Sequence, residues 1–392
     1  MNNFYRFIII VIISFPLIAK GNTNLSLPSK IDIRIFSGSE INEINLTSLE
    51  GRYLIYSDNE TNEPLLSVRK FASIKLRAKD SKILIIRRDT IIQEVSKVLI
   101  LGGAFNNIML LNPIEPDLAF RMYDDDFVIT VADGKLKIIN IVALEKYIAG
   151  VVQSESGFLR HAVYYQVQAT IARTYAFKNI NRHEAQGHNL CDQVHCQAYY
   201  GRTGYNPIIE AVNDSRGTII IDNNSQPVNT VYHANCGGET INSEDIWPQA
   251  LPYLRSVKDT FCLNSPGARW EMKISINDLL RFVESTYKIK LSASEKNHIL
   301  TFTQDNRKLH LDENKKIHLR QIRENFKLRS TFFSITTEND TIIFRGRGFG
   351  HGVGLCQEGA MKMAQYGFSK EYIIKYYYKN IELVVIDDFF AN

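Results

Sequence analysis

The amino-acid sequence predicts an α+β fold in three parts. These are a β-rich N-terminal part over residues 31–142, a mixed α/β core over 143–383, and a small helical insertion in that core at about 270–328. Three observations carry the prediction. Before residue 142, short runs rich in β-branched residues alternate with clusters of Ser, Asn, Asp and Gly. From 161 to 181, small and apolar residues recur at steps of three and four with no Pro or Gly inside. Beyond that helix, strand-like and helix-like patterns follow each other. Of the 392 residues, 45% are hydrophobic and 22% charged, which suits a globular chain with one large core or two domains and excludes a disordered or fibrous one.

The elements follow in order. Arg6 precedes an apolar stretch, 7–19, interrupted only by Ser14, and Ala19-Lys20-Gly21 supplies a small-x-small pattern. The stretch is shorter than the roughly 20 residues that span a bilayer, so residues 1–21 read as an export signal and the mature chain as a protein of the periplasm or cell envelope. Strands are expected at 31–36, 53–56, 82–86 and 127–131. Asp133-Gly134 marks a tight hairpin leading into a helix that begins at Ala143. After the 161–181 helix come a polar His/Cys loop and strands at 217–222 and 227–233. The charged, amphipathic 270–328 stretch carries packing and no visible chemistry. A Gly-rich loop, 345–354, precedes helices at 358–365 and 370–378.

The net charge of +4 comes from basic residues scattered along the chain. Nucleic acid is not implied; a mildly cationic surface suits an anionic wall polymer or a membrane face equally. The glycines around His351 imitate a dinucleotide loop but do not sit in a βαβ unit, so no nucleotide is expected.

Four places could carry chemistry. Glu155 lies between an apolar segment and a Ser-Gly turn. At the rim of an apolar pocket its carboxyl would hold a proton near neutral pH; otherwise it is a capping or surface residue. His188, Cys191, His195 and Cys196 crowd one loop and form a normal structural zinc set, with His183 as a substitute for His188; a Cys191–Cys196 disulfide competes with this. Cys236 and Cys262 flank an aromatic stretch containing Trp247 and Tyr253, which either face a sugar or sit in the core; a disulfide between the two cysteines would add about 3 kcal/mol. His351, bracketed by glycines, is either presented at a loop tip or chosen for its φ. Five cysteines cannot all pair within one chain, and Cys356 stands alone. On the long helix, Gln168 and Arg173 are either solvent-facing or part of a site.

Taken in order, Tyr147-Ile-Ala-Gly-Val-Val-Gln-Ser-Glu155, Gln168-Ala-Thr-Ile-Ala-Arg173, His195-Cys-Gln197-Ala-Tyr-Tyr-Gly, Gly-Gly-Glu-Thr240 with Trp247, and Gly348-Phe-Gly-His351-Gly-Val-Gly resemble the SpoIID/LytB family of lytic transglycosylases and amidase enhancers. The resemblance implies that Glu155 is the acid/base of a reaction on peptidoglycan glycan strands stripped of their stem peptides. It implies Gln168, Arg173 and His351 as orienting or charge-stabilising groups, and Gln197, Tyr199, Trp247, Tyr253 and Gln357 as glycan contacts. It further implies zinc in the His/Cys loop, carried by some members and absent from others. A lytic transglycosylase needs one carboxyl, whereas ordinary glycosidases need two. Three readings therefore compete: that enzyme, a glycan-binding enhancer of a cell-wall amidase, and a thiol hydrolase pairing a cysteine with His351.

Overall fold

In this computed structural model, residues 26–58, 63–103 and 106–386 are described; the expected export signal lies outside them. The N-terminal part is two stacked antiparallel sheets, because its strands alternate inward apolar and outward polar residues. In Lys30–Ile35, Ile31, Ile33 and Ile35 are buried while Asp32 and Arg34 are partly open. One sheet runs in the order Leu190–Cys191, Lys30–Ile35, Lys135–Ala143, Asp126–Ala132, Lys97–Gly102, Tyr53–Ser57, Leu66–Val68. The other runs Arg121–Asp124, Ile108–Glu115, Glu43–Glu50, Ser73–Lys79, Lys82–Arg87, Thr90–Val95. The Asp-Gly hairpin forms as expected: Asp133 and Gly134 both have positive φ, 52° and 73°, as a two-residue turn between twisted strands requires.

The sheet edge positions the His/Cys loop. Leu190 and Cys191 pair in parallel with Ile33 and Arg34. The next residue, Asp192, is fully buried and accepts hydrogen bonds from the Phe36 and Ser37 amides, the Ser37 hydroxyl and Arg121. A buried carboxylate satisfied in this way anchors the loop, since leaving it unpaired would be costly.

Helix α1, Leu144–Ser156, runs further than the sequence suggested and carries Glu155 in its last turn. Gly150 explains the helix's close neighbour: a Cβ there would lie 2.4 Å from the Gly201 carbonyl and 2.5 Å from the Tyr199 ring. A mid-helix glycine costs about 1 kcal/mol relative to alanine, and here it lets the 197–201 segment lie directly on α1. Helix α2, Ala162–Lys178, is capped by the His161 side chain, which accepts from the Val163 amide. Helix α3, Asn206–Asp214, was not foreseen; it is nine residues long with Pro at its start. The expected strand at 217–222 is Thr218–Asp222, paired with Ile381–Val385. The one expected at 227–233 shrinks to Tyr232–His233, pairing in parallel with Leu355–Cys356: Pro227 makes only an isolated bridge to Ile221, the Asn229 amide goes to the Tyr253 hydroxyl and the Thr230 hydroxyl to the Ile171 carbonyl.

The insertion has its own core of Leu279, Val283, Ile299, Leu319 and Ile322 packed on Phe333, Ile335, Ile342 and Phe344. It comprises α4 (Ile276–Tyr287), α5 (Ala293–Leu300) and α6 (Leu319–Phe326) on a sheet of Arg269–Ser275, Thr341–Arg347 and Phe333–Glu338, so this unit continues to Arg347. The chain closes with α7 (Gln357–Gln365) and α8 (Lys370–Tyr377) against α2. Among the described residues no helix is long and apolar enough to cross a membrane.

Candidate active site

A groove of about 750 Å³ brings Glu155, His195, Cys196, Gln197, Tyr232, His233, Trp247, His351 and Gln357 together from five separate segments. Among its lining residues Glu155 is the sole carboxylic acid. A second cavity of about 490 Å³, beside Glu145, Lys146 and Arg202, combines an ion-paired carboxylate with basic residues and contains no histidine or cysteine.

Glu155 is half-buried at the end of α1. Its Oε1 accepts from the Ala198 amide at 3.1 Å, and the Tyr232 hydroxyl faces the same carboxyl. Burial pushes its pKa up from the usual 4.5, against the opposing pull of those two hydrogen-bond donors. The carboxyl therefore holds its proton to higher pH than a surface glutamate. The Ala198 contact depends on Gly150, since close packing of 197–201 on α1 brings that amide within reach.

A further part of the lining is a pair of imidazoles and an indole. His351 sits 5.4 Å from His233 and 5.2 Å from Trp247, ring centre to ring centre. Its Nδ1 accepts from the Val353 amide at 3.0 Å, and burial holds its pKa down at about 4. His233, buried, is likewise held well below the usual imidazole range by burial and by His351. Both rings are neutral at pH 7, so they offer directed dipoles and not positive charge. Three buried polar atoms of this groove, Gln197 Nε2, His233 Nε2 and Gln357 Nε2, have no protein partner. Such atoms are rare, and a polar ligand or water would satisfy them.

Four residues expected in the site lie elsewhere. The fully buried Arg173 forms a two-pronged ion pair with Glu145, Nε to Oε1 at 2.8 Å and Nη2 to Oε2 at 2.6 Å, and donates to the Thr218 and Val212 carbonyls. It locks α2 to α1, α3 and the 218–222 strand. Gln168 is buried and donates to the Tyr164 hydroxyl. Tyr199 is core: it packs edge-on against Tyr147 and Tyr123 and donates to Asn140. Tyr253 is 5% exposed and supports the groove from behind by accepting from the Asn229 amide. Conversely, Tyr232 and His233 were read only as part of a strand. The signal that could have found them is a Tyr-His pair one residue before the Asn235-Cys-Gly-Gly turn.

The His/Cys loop lies at one end of the groove. Ligand atoms of His183, Cys191, His195 and Cys196 all lie within 4.8 Å of one another, a spacing that fits one tetrahedral ion. His188, expected as the fourth donor, instead stacks on His183 with ring centres 5.0 Å apart and bonds through Nδ1 to the Gln186 carbonyl. It orients His183 and is not part of the set. All five cysteines are free thiols, so neither expected disulfide is present.

The fold and groove define a protein with one acid in a polar, aromatic-walled cleft beside a potential metal loop. Comparison with known proteins agrees with the resemblance in the sequence: the model of the stage II sporulation protein family, SpoIID, matches residues 132–221, which include Glu155 and the His/Cys loop. Stage II sporulation protein D of Bacillus subtilis (strain 168) is 29% identical over 273 residues, covering 63% of this chain and 76% of that protein. Its counterpart from Bacillus amyloliquefaciens is 28% identical, covering 64% and 77%. The amidase enhancer of Bacillus subtilis (strain 168) is 22% identical over 56% of this chain and 37% of its own length. The chain is thus similar to the stage II sporulation protein D and amidase-enhancer proteins, and the family match falls on the segment that carries Glu155.

Proposed function

We propose that the protein is an exported lytic transglycosylase that cleaves denuded peptidoglycan glycan strands. The cell-wall role is supported by the family and by the names of its relatives. The reaction rests on one observation: a single carboxyl, with its pKa raised by burial, in a groove whose lining offers no second one. Protonated Glu155 gives its proton to the glycosidic oxygen as the C1–O bond breaks. The resulting carboxylate then takes the proton from the sugar's C6 hydroxyl, whose oxygen bonds to C1 and closes a 1,6-anhydro ring. Glu155 is thereby reprotonated and water is not consumed. A two-carboxylate hydrolysis would need a partner some 5–9.5 Å away across the bond. The unpaired Gln197 and Gln357 amide nitrogens supply donors for sugar hydroxyls, His233 Nε2 supplies an acceptor because its Nδ1 donates to the Val353 carbonyl, and Trp247 offers an apolar face for a pyranose ring.

His183, Cys191, His195 and Cys196 would hold a zinc ion as a closed, structural set. Bound there, it supplies a cross-link between the loop and the groove floor and no open coordination position. The groove's unpaired polar atoms and the amidase-enhancer relative also support a second reading, in which the protein holds glycan and stimulates a separate cell-wall amidase. Incubation of the purified protein with naked glycan strands, followed by mass spectrometry, separates the two. The enzyme yields 1,6-anhydro ends from wild type and none from Glu155→Gln. Binding without anhydro products from wild type leaves the enhancer.

A further inference from the structure

On the far side of the same wall lies a second cluster that neither the groove nor the His/Cys loop uses. Cys236, Asp259, Cys262 and Cys356 are each 0% exposed, and one ligand atom from each lies within 4.8 Å of all the others. We propose that these four residues bind one zinc-class divalent cation as a closed Cys₃Asp site that holds the groove wall in place. The inference stands whether or not the glycan reaction does.

The geometry is that of a coordination shell. Zn–S bonds of about 2.3 Å and Zn–O bonds of about 2.0–2.2 Å in a tetrahedron place neighbouring ligand atoms roughly 3.4–3.8 Å apart. Cys236 Sγ lies 3.4 Å from Cys262 Sγ and 3.2 Å from Asp259 Oδ2, within a few tenths of that without an ion to set the spacing. Three sulfurs and one carboxylate in a tetrahedral arrangement select zinc over the hard, oxygen-seeking cations.

The groups around the four residues are those that thiolates require. The Cys236 and Gly359 amides both point at Cys356 Sγ, at 3.3 and 3.4 Å. Cys356 is the N-cap of α7, so its sulfur sits at the positive end of a nine-residue helix. Asp259 is oriented by the Tyr377 hydroxyl at 2.8 Å on Oδ2 and by the Phe261 amide at 3.0 Å on Oδ1, the outer support that metal-binding carboxylates carry. Three thiolates and a carboxylate with a dication leave a net charge of −2. The Arg307 guanidinium, donating to the Cys236 carbonyl at 2.7 Å, faces that charge. Gly359 leaves the room: a Cβ there would lie 2.3 Å from Asp259 Oδ2 and from the Tyr377 hydroxyl oxygen.

A disulfide explains the cluster less well. Three sulfurs allow one bridge and leave a thiol and a carboxyl enclosed beside it, whereas one ion engages all four groups. The segments it joins also matter. His233 precedes Cys236 by three residues and Gln357 follows Cys356 directly, and both line the groove. The ion would fasten the two strands of that wall to the 259–262 turn.

Two measurements on the full chain decide this. Crystals of wild type measured at the zinc edge should show an anomalous peak among the three sulfurs and the Asp259 carboxylate; no peak there, or a sulfur–sulfur bond, overturns the proposal. In solution, the Cys191→Ser/Cys196→Ser variant lacks the loop sulfurs and should retain one equivalent of zinc by elemental analysis. That equivalent should disappear when Cys262→Ser is added. Zinc absent from the folded loop variant, or retained after the Cys262 change, refutes it. If either variant fails to fold, the wild-type anomalous measurement still gives the answer.

Discussion

Replacing Arg173 with methionine should cost the protein stability and not chemistry, which opposes the role its place in the motif suggests. The guanidinium is fully buried, and the Glu145 side chain is only 11% exposed. Truncating the cation leaves an almost enclosed carboxylate without its partner and removes a donor from the Thr218 carbonyl, while the Val212 carbonyl keeps the Ser215 hydroxyl. Breaking one half of a buried ion pair costs about 3–5 kcal/mol, and each abandoned buried acceptor is worth about 1–3 kcal/mol, terms that overlap and do not add. A loss of about 3–5 kcal/mol is therefore expected for Arg173→Met. Urea unfolding followed by intrinsic fluorescence should show it as a lower midpoint at unchanged slope. In a double-mutant cycle, Arg173→Met combined with Glu145→Gln should lose about 1–3 kcal/mol less than the sum of the single changes, because the second change removes the stranded charge. Activity on naked glycan, measured on the folded fraction, should stay within a few-fold of wild type. A folded Arg173→Met protein that loses under about 1 kcal/mol of stability but a hundredfold or more in kcat would refute this placement and return the arginine to the substrate.

Four further outcomes are expected. Glu155→Gln should lower turnover by about 10²–10⁴-fold, the range for a general acid, with glycan binding kept, because a Gln oxygen can still accept from the Ala198 amide. The same variant should be relatively more stable as pH rises: below the usual 4.5 the group is neutral in both folded and unfolded wild type, and above it the unfolded chain ionises first, so wild type loses stability up to the raised folded pKa and keeps that loss at higher pH. Melting temperatures across pH 3–8 that fail to favour Gln at the upper end would mean the carboxyl is not held protonated. His183→Ala should abolish zinc retention in the His/Cys loop, whereas His188→Ala should only weaken it, as read by competition with a chromogenic chelator. Gly150→Ala should destabilise by about 1–3 kcal/mol through overpacking against Tyr199 and Gly201, and should depress activity by displacing the Ala198 amide from Glu155.

The N-terminal sheets were the most legible part of the sequence, because period-two burial and an Asp-Gly turn are local signals that tertiary context rarely overrides. Helix α2 was legible for the same reason. The extension of α1 was not: Gly150 and the Ser154-Glu155-Ser156-Gly157 run look like a turn, and only packing on 197–201 shows why a glycine is kept inside the helix. The strand expected at 227–233 shortened because the Asn229 amide is taken by the Tyr253 hydroxyl and the Thr230 side chain is held by the Ile171 carbonyl of α2, partners distant in sequence that no short-range pattern encodes.

The site divides along the same line. Glu155, His351, Trp247, Gln197 and Gln357 were found in sequence and meet in one groove. Arg173, Gln168 and Tyr199 came from the ordered motifs, Tyr253 from the aromatic stretch beside Trp247, and all four lie outside it. A motif read in one sequence does not separate a buried ion pair that locks two helices from a residue at the reacting bond. What separates the two classes is satisfaction of polar groups. Arg173 has four hydrogen bonds to protein atoms, and the Tyr199 and Tyr253 hydroxyls each have a partner. Gln197, His233 and Gln357 each keep a buried nitrogen with none. Polar groups finished within the protein have little left to offer a substrate. Those left unfinished at a groove wall carry an energetic cost of about 1–3 kcal/mol each, which binding a polyhydroxylated ligand would relieve. By that criterion the binding surface runs from Gln197 past Glu155 to His233 and Gln357, and His233, absent from every motif that first drew attention to the chain, belongs to it.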